Sequence, residues 1–206
     1  MSGAFPISTA KFSTLGFKST QNTLVSITDS GKKLSRQIDG QRFGFTAQVI
    51  TAKRSDVYGE LMAFIMKQRS GKENFTIIPP EIEDARGNET GTVLVNGSHA
   101  VGDTTIAMDA HHNDNPHAFK AGDFIKFASH TKVYMIVADV QASSGASTVT
   151  IEPPLHQAVA DDSIVTYDNV PFTVHLLNDA QEFGAVGADK DGAVLYKFEL
   201  DVEETL

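Results

Sequence analysis

The sequence predicts a mainly β protein with one α-helix, in which a small antiparallel β-barrel is inserted into a second domain. Three observations carry this prediction. Short runs rich in Val, Ile, Thr, Phe and Tyr recur between turn residues along the chain. Only one segment, beginning at Ser55, changes to a helical period. About six short strands then crowd into roughly 80 residues in the middle of the chain, a spacing that suits a small barrel better than alternating helices and strands.

Taken in order, Phe12 to Phe17 and Thr23 to Thr28 read as strands separated by the polar turn Lys18 to Asn22, and Asp29 to Lys33 reads as a second turn. Asp39-Gly40 follows between two extended runs, and this dipeptide predicts a hairpin because it tolerates the positive φ of a tight primed turn. In the second arm Phe43, Phe45, Ala47 and Val49 alternate with Gly44, Thr46, Gln48 and Ile50, so one face lies on a core.

Val57, Leu61, Phe64 and Ile65 fall at i, i+4, i+7 and i+8 and predict a helix, with Ser55 as N-cap and Gly71 as its C-terminal stop. Gly59 weakens that helix by about 1 kcal/mol relative to Ala, so tertiary packing must hold it. Asn74 to Ile78 is a strand ended by Pro79-Pro80. The polar stretch Glu81 to Thr92 leads out of the first domain.

The middle of the chain offers Thr92 to Val95, Thr104 to Met108, Phe124 to Phe127, Val133 to Val140, Thr148 to Ile151 and Ser163 to Tyr167 as strands, with Ala110 to Phe119 as a polar loop. Phe172 to Leu177, Gln181 to Phe183 and Leu195 to Val202 complete the set. In the last of these Leu195, Lys197, Glu199 and Asp201 alternate against Tyr196, Phe198, Leu200 and Val202, which gives one largely charged face.

Composition excludes several chemistries. The 206 residues contain no cysteine, hence no disulfide, thiolate metal site or thiol nucleophile. No Gly-x-Ser-x-Gly elbow locates a serine nucleophile, and no enzyme activity or cofactor is expected. No stretch approaches the roughly 18 apolar residues of a membrane span, and the N-terminus lacks a basic segment followed by an apolar run, so the chain is expected to be made and to stay in a cytoplasm. His111, His112, Asp114 and His117 have the ligand types of a zinc or other divalent site, but their spacing matches no established motif, and a solvated loop accounts for them. The acidic middle and the absence of Trp argue against nucleic-acid binding and against a large stacking platform for glycans.

Residues 1–80 carry 11 Lys/Arg against 5 Asp/Glu and residues 81–206 carry 6 against 21, which divides the net charge of −9 into +6 and −15. Such polarity lets one copy of a protein meet another through opposite charges, although scattered surface charge would show it too. Arg36, Arg42, Lys53 and Arg54 are the basic candidates for such an interface, and Glu199, Asp201, Glu203 and Glu204 the acidic ones.

Gln41-Arg-Phe-Gly-Phe45, the segment Tyr58 to Arg69, Asn74-Phe-Thr-Ile77, Thr92 to His99, Ala121 to Ala128, Lys132-Val-Tyr-Met135, Ile151 to Leu155 and Asn169 to Val174 resemble a family of phage tail proteins, the distal tail proteins. The resemblance covers about residues 10 to 204, and its motifs are structural. It implies a ring-forming, belt-like β-sandwich domain with one helix, residues 1–85 plus 169–206, interrupted before its last strands by an OB- or SH3-like barrel, residues 86–168. It further implies a homohexameric ring at the tail tip of the virion, assembled in the host cytoplasm. Such a ring joins the tail tube protein to the hub, central fibre or baseplate, and DNA passes through its lumen without any insertion into a membrane. An alternative role for the barrel is to bind a host-surface glycan or receptor.

Overall fold

The computed structural model describes residues 3–6, 11–38, 40–112 and 114–206. In chain order its elements are β1 (Phe12–Thr20), β2 (Thr23–Ile27), β3 (Lys33–Gln37), β4 (Arg42–Lys53), α1 (Gly59–Lys67), β5 (Phe75–Ile77), β6 (Leu94–Val95), β7 (Thr105–Asp109), β8 (Asn115–Phe119), β9 (Phe124–Phe127), β10 (Val133–Ile136), β11 (Val140–Ala142), β12 (Ser147–Glu152), β13 (Val165–Thr166), β14 (Phe172–Leu176), β15 (Phe183–Ala188) and β16 (Val194–Glu204).

N- and C-terminal strands build one antiparallel sheet in the order β1-β4-β16-β14-β5, with β15 also on β16. The two longest strands, β4 and β16, lie side by side from Leu195 opposite Lys53 to Glu203 opposite Gly44. Their alternation decides the faces. Phe43, Phe45, Ala47 and Val49 are buried as expected, together with Phe198, Leu200 and Val202, and all of these but Ala47 share one core with Leu61 and Ile65 of the helix and Phe124 and Val133 of the inserted part. The opposite face carries Thr46, Gln48, Glu199 and Asp201 and stays partly or fully open to solvent.

Residues between β5 and β14 form a six-stranded antiparallel barrel in the order β13-β9-β10-β12-β7-β6. It closes where Leu94 bridges Ile164 and the N–H groups of Val95 and Val165 donate to the carbonyls of Ser163 and Val93, both at 3.0 Å. Closure removes the open edges that so short a set of strands would otherwise expose. A core of its own, including Ile106, Phe119, Ile125, Phe127, Tyr134 and Ile151, fills the barrel.

Several local expectations are corrected. The hairpin expected across Asp39-Gly40 does not form: β3 pairs with β2 from Thr23 opposite Gln37 to Ile27 opposite Lys33, and β4 pairs with β1. Asp39 lies outside the described residues. The turn at Thr28 to Lys32, where Lys32 N–H donates to Thr28 Oγ1 at 3.1 Å and Gly31 takes φ +79°, closes the ribbon instead. β4 is left free to pair on both sides.

The helical segment begins one residue before Ser55, as a π-type turn from Arg54 to Tyr58. Ser55 is no N-cap: its hydroxyl donates to Asp56 Oδ1 at 2.9 Å. Gly59 closes that turn by donating to Arg54 O, and a Cβ there would stand 2.9 Å from the same oxygen. Arg69 and Ser70, at φ 54° and 59°, reverse the chain after the helix, so Gly71 is not its stop. Glycine is needed at 71 because a Cβ would come within 2.5 Å of Leu176 O on β14.

In the barrel the expected strand Val133 to Val140 divides into β10 and β11, with Val137 exposed between them. The expected loop Ala110 to Phe119 contains β8, which accommodates Pro116 because it pairs only with β11 in a two-stranded edge. The strand expected at Gln181 to Phe183 starts at Phe183 and runs to Ala188 through a Gly- and Ala-rich sequence with little β signature.

Candidate assembly surface

The charged residues marked in the sequence reach three different settings. On the outer face of the sheet, Asp201 accepts from Lys18 Nζ at 3.0 Å and from Thr46 Oγ1 at 3.3 Å. Beside it Arg42 Nη1 stands 3.6 Å from Glu203 Oε2. Strand register causes both pairs, since β1 and β16 flank β4 and place basic side chains of one part of the chain over acidic ones of the other. Glu199 is exposed on the same face.

At the upper end of that sheet Lys53 forms an ion pair with Asp189, just past β15. The hydrogen bond from Lys53 holds the Asp189 carboxyl below its usual range, helped by the N–H of Ala193. Arg54, at the start of the π-type turn, and Arg36, on β3, are exposed.

Glu204 belongs to neither surface. Its side chain points inward, is fully buried, and forms an ion pair with Lys132 of the barrel. Backbone N–H groups of Val133 and Phe43 donate to it at 2.7 and 3.2 Å, and Lys132 Nζ lies 4.2 Å from the centre of the Phe43 ring. Burial pushes the Glu204 carboxyl up and the Lys132 ammonium down, and their mutual attraction opposes both shifts. A group sealed in this way cannot touch a second subunit. It locks the barrel to the sheet within one chain, and so leaves the set of interface candidates.

The β2–β3 ribbon is the feature that the charge pattern did not reveal. Register puts Leu24, Leu34 and Arg36 on one face and Val25, Ile27 and Lys33 on the other. Leu24 is 60% exposed, Val25 53%, Ile27 70% and Leu34 50%. A two-stranded ribbon is marginal alone in water, and clustered exposed aliphatic side chains mark contact surfaces. The signal was present in the sequence as Leu24-Val25 and Ile27, but those residues read equally well as facing a core.

The histidine group is dispersed. His111 is buried, with Nδ1 2.8 Å from Glu89 Oε2 and Nε2 2.7 Å from Ser147 Oγ. Burial pushes the Glu89 carboxyl up, but the His111 hydrogen bond and the N–H groups of Gly91, His112 and Thr90 outweigh it and hold it down at about 2. His117 lies outside, with Nδ1 3.1 Å from Lys120 Nζ. Among the described residues no group of three or more His, Cys, Asp or Glu is placed to hold a metal ion. No helix among them is long and apolar enough to cross a membrane.

Residues 82–170, the barrel with its two connections, match the family model of the distal tail protein pb9, B domain. The inserted barrel is thus similar to a domain of a distal tail protein. A comparison with curated proteins returns no match for the chain. The family match covers the inserted part of the chain and leaves the sheet-forming residues before and after it unmatched. The B domain also explains why the landmarks legible between Thr92 and Leu155 are barrel-building ones: buried apolar strand residues, and turns such as Gly122-Asp123, where Asp123 accepts from the N–H groups of Arg86 and Lys120.

Proposed function

We propose that copies of this chain close into a homohexameric ring at the distal end of the tail, through which DNA passes from the tail tube toward the hub, central fibre or baseplate. The β2–β3 ribbon carries this reading. Its two faces are both apolar and both uncovered, which suits an arm held between surfaces of a neighbouring copy rather than one laid flat on its own domain. Cyclic assembly through a heterologous contact asks for two different complementary surfaces on each copy. The ribbon, with Lys32, Lys33 and Arg36, supplies a basic apolar one, and the open sheet face around Glu199 an acidic one. The number six rests on the resemblance to the distal tail proteins.

In this reading Arg36, Arg42, Lys53 and Arg54 meet Glu199, Asp201 and Glu203 of the next copy, and residues 1–85 with 169–206 form the ring while 86–168 project from it. Native mass measurement and particle images test it. The wild type should give closed six-membered rings, alone or with copurified tail proteins. The Leu24→Ser, Ile27→Ser double variant should stay monomeric with an unchanged thermal midpoint. A wild type that is monomeric at every concentration and also with its tail partners overturns the proposal.

A further inference from the structure

We propose that the junction between the sheet and the barrel is a binding cleft for a neutral saccharide bearing an N-acetyl group. Two adjoining hollows meet there and share Gln37, Gln41 and Pro153, the larger of them measuring about 400 Å³. One wall comes from β1 and the start of β4, with Phe17, Ser19, Gln41 and Phe43, and the other from Met135, Glu152 and Pro153 of the barrel. Neither part of the chain makes the cleft alone.

Its chemistry combines an aromatic floor with glutamine side chains, the carboxylate of Glu152 and, in the adjoining hollow, Lys132, whose charge is paired with Glu204. Phe17 is 38% exposed, and Phe43 and Phe124 brace it from behind at ring-centre distances of 5.2 and 5.4 Å. A fixed, half-open ring of this kind offers a platform to the C–H face of a sugar or to an acetyl methyl, at little entropic cost. Gln21 and Gln37 each carry both a donor and an acceptor, as successive hydroxyl groups require, and Glu152 adds an acceptor.

Gln41 supplies the more specific observation. Its side-chain amide donates to Ser19 Oγ at 2.7 Å, yet its Oε1 is buried and has no hydrogen-bond partner in the chain. Only 6% of the residue is exposed, so the unsatisfied oxygen carries a desolvation cost. Its terminal torsion is soft, and a bound donor would draw the oxygen toward the cleft in exchange for the Ser19 hydrogen bond. The amide N–H of an N-acetylhexosamine is such a donor, with its methyl group reaching Phe17. This site lies at the junction and not on the outside of the barrel, and it is complete in a single chain, so it does not depend on ring formation.

The test is a titration of full-length protein with the N-acetylglucosamine trimer, followed by saturation transfer to the acetyl methyl protons. Saturable binding is expected, weakened at least tenfold by Gln37→Ala, by Phe17→Leu and by Gln41→Leu, and weakened at least tenfold for the wild type when the glucose trimer, which lacks the acetamide, replaces the N-acetylated one. Gln37 is exposed, so its replacement leaves the fold intact, and unchanged thermal midpoints check the other two. Absence of saturable transfer from the trimer overturns the proposal. So does equal binding by the wild type and the Gln37→Ala and Phe17→Leu variants, which would place the sugar elsewhere. Retention of an extended peptide in the cleft, with no sugar binding, would overturn it as well.

Discussion

Lys132, at the start of a barrel strand, and Glu204, at the end of the last sheet strand, form a buried ion pair that joins the two parts of the chain. Two backbone N–H groups, one from each part, complete the coordination of the carboxylate. Removing one partner leaves the other charge buried without compensation. Glu204→Gln should therefore cost about 3–5 kcal/mol in urea unfolding. Lys132→Met with Glu204→Leu removes both desolvation costs at similar volume, and should recover most of the loss or exceed the wild type by about 1–4 kcal/mol. A double variant no more stable than the single one would show that the charges themselves are required.

Acid stability should report on Glu89. Its folded value of about 2 lies below the usual 4.5. A depressed carboxyl contributes stability that is fully present above the unfolded value and is lost as pH falls through the folded one. The contribution should thus disappear between about pH 4.5 and pH 2. Urea midpoints measured across that window should fall more steeply for the wild type than for Glu89→Gln, and parallel curves would contradict the assignment.

Gly71→Ala tests a close approach, not a helix stop. The added Cβ would meet Leu176 O at 2.5 Å, so the segment after the helix must move away from β14, at a cost of about 1–3 kcal/mol. Were Gly71 a helix terminator only, the same substitution would leave exchange protection of the β14 amides unchanged; reduced protection at Leu176 and Leu177 is expected.

Charge reversal addresses the ring contact. Arg42 and Glu203 are 3.6 Å apart on an open face, so Arg42→Glu should alter the stability of the isolated chain by no more than about 1 kcal/mol. Assembly is expected to weaken with Arg42→Glu or Glu199→Arg alone and to recover when the two are combined. If neither single variant changes the ring yield, that pairing is not part of the contact.

Much of this architecture was legible in the order of residues because it depends on local periods. The alternation from Phe43 to Val49, the helical spacing of Leu61 and Ile65 and the close succession of strands between Thr92 and Tyr167 each express which side of an element meets a core, and each core side is buried. The resemblance to the distal tail proteins rests on the same local features. Tertiary structure alone decided the pairings. Asp39-Gly40 had the chemistry of a hairpin turn, yet β4 gained more by lying between β1 and β16, where its apolar face is covered along its length. Glu204 read as one more acidic candidate for a subunit contact, and only the docking of the barrel, with Lys132 lying 72 positions away, turned it into a buried joint. The same docking creates the cleft at Gln41, and it leaves the β2–β3 ribbon with apolar residues on both faces. Local periodicity records which face is apolar, whereas the partner that covers it is a matter of contacts between segments far apart in the chain.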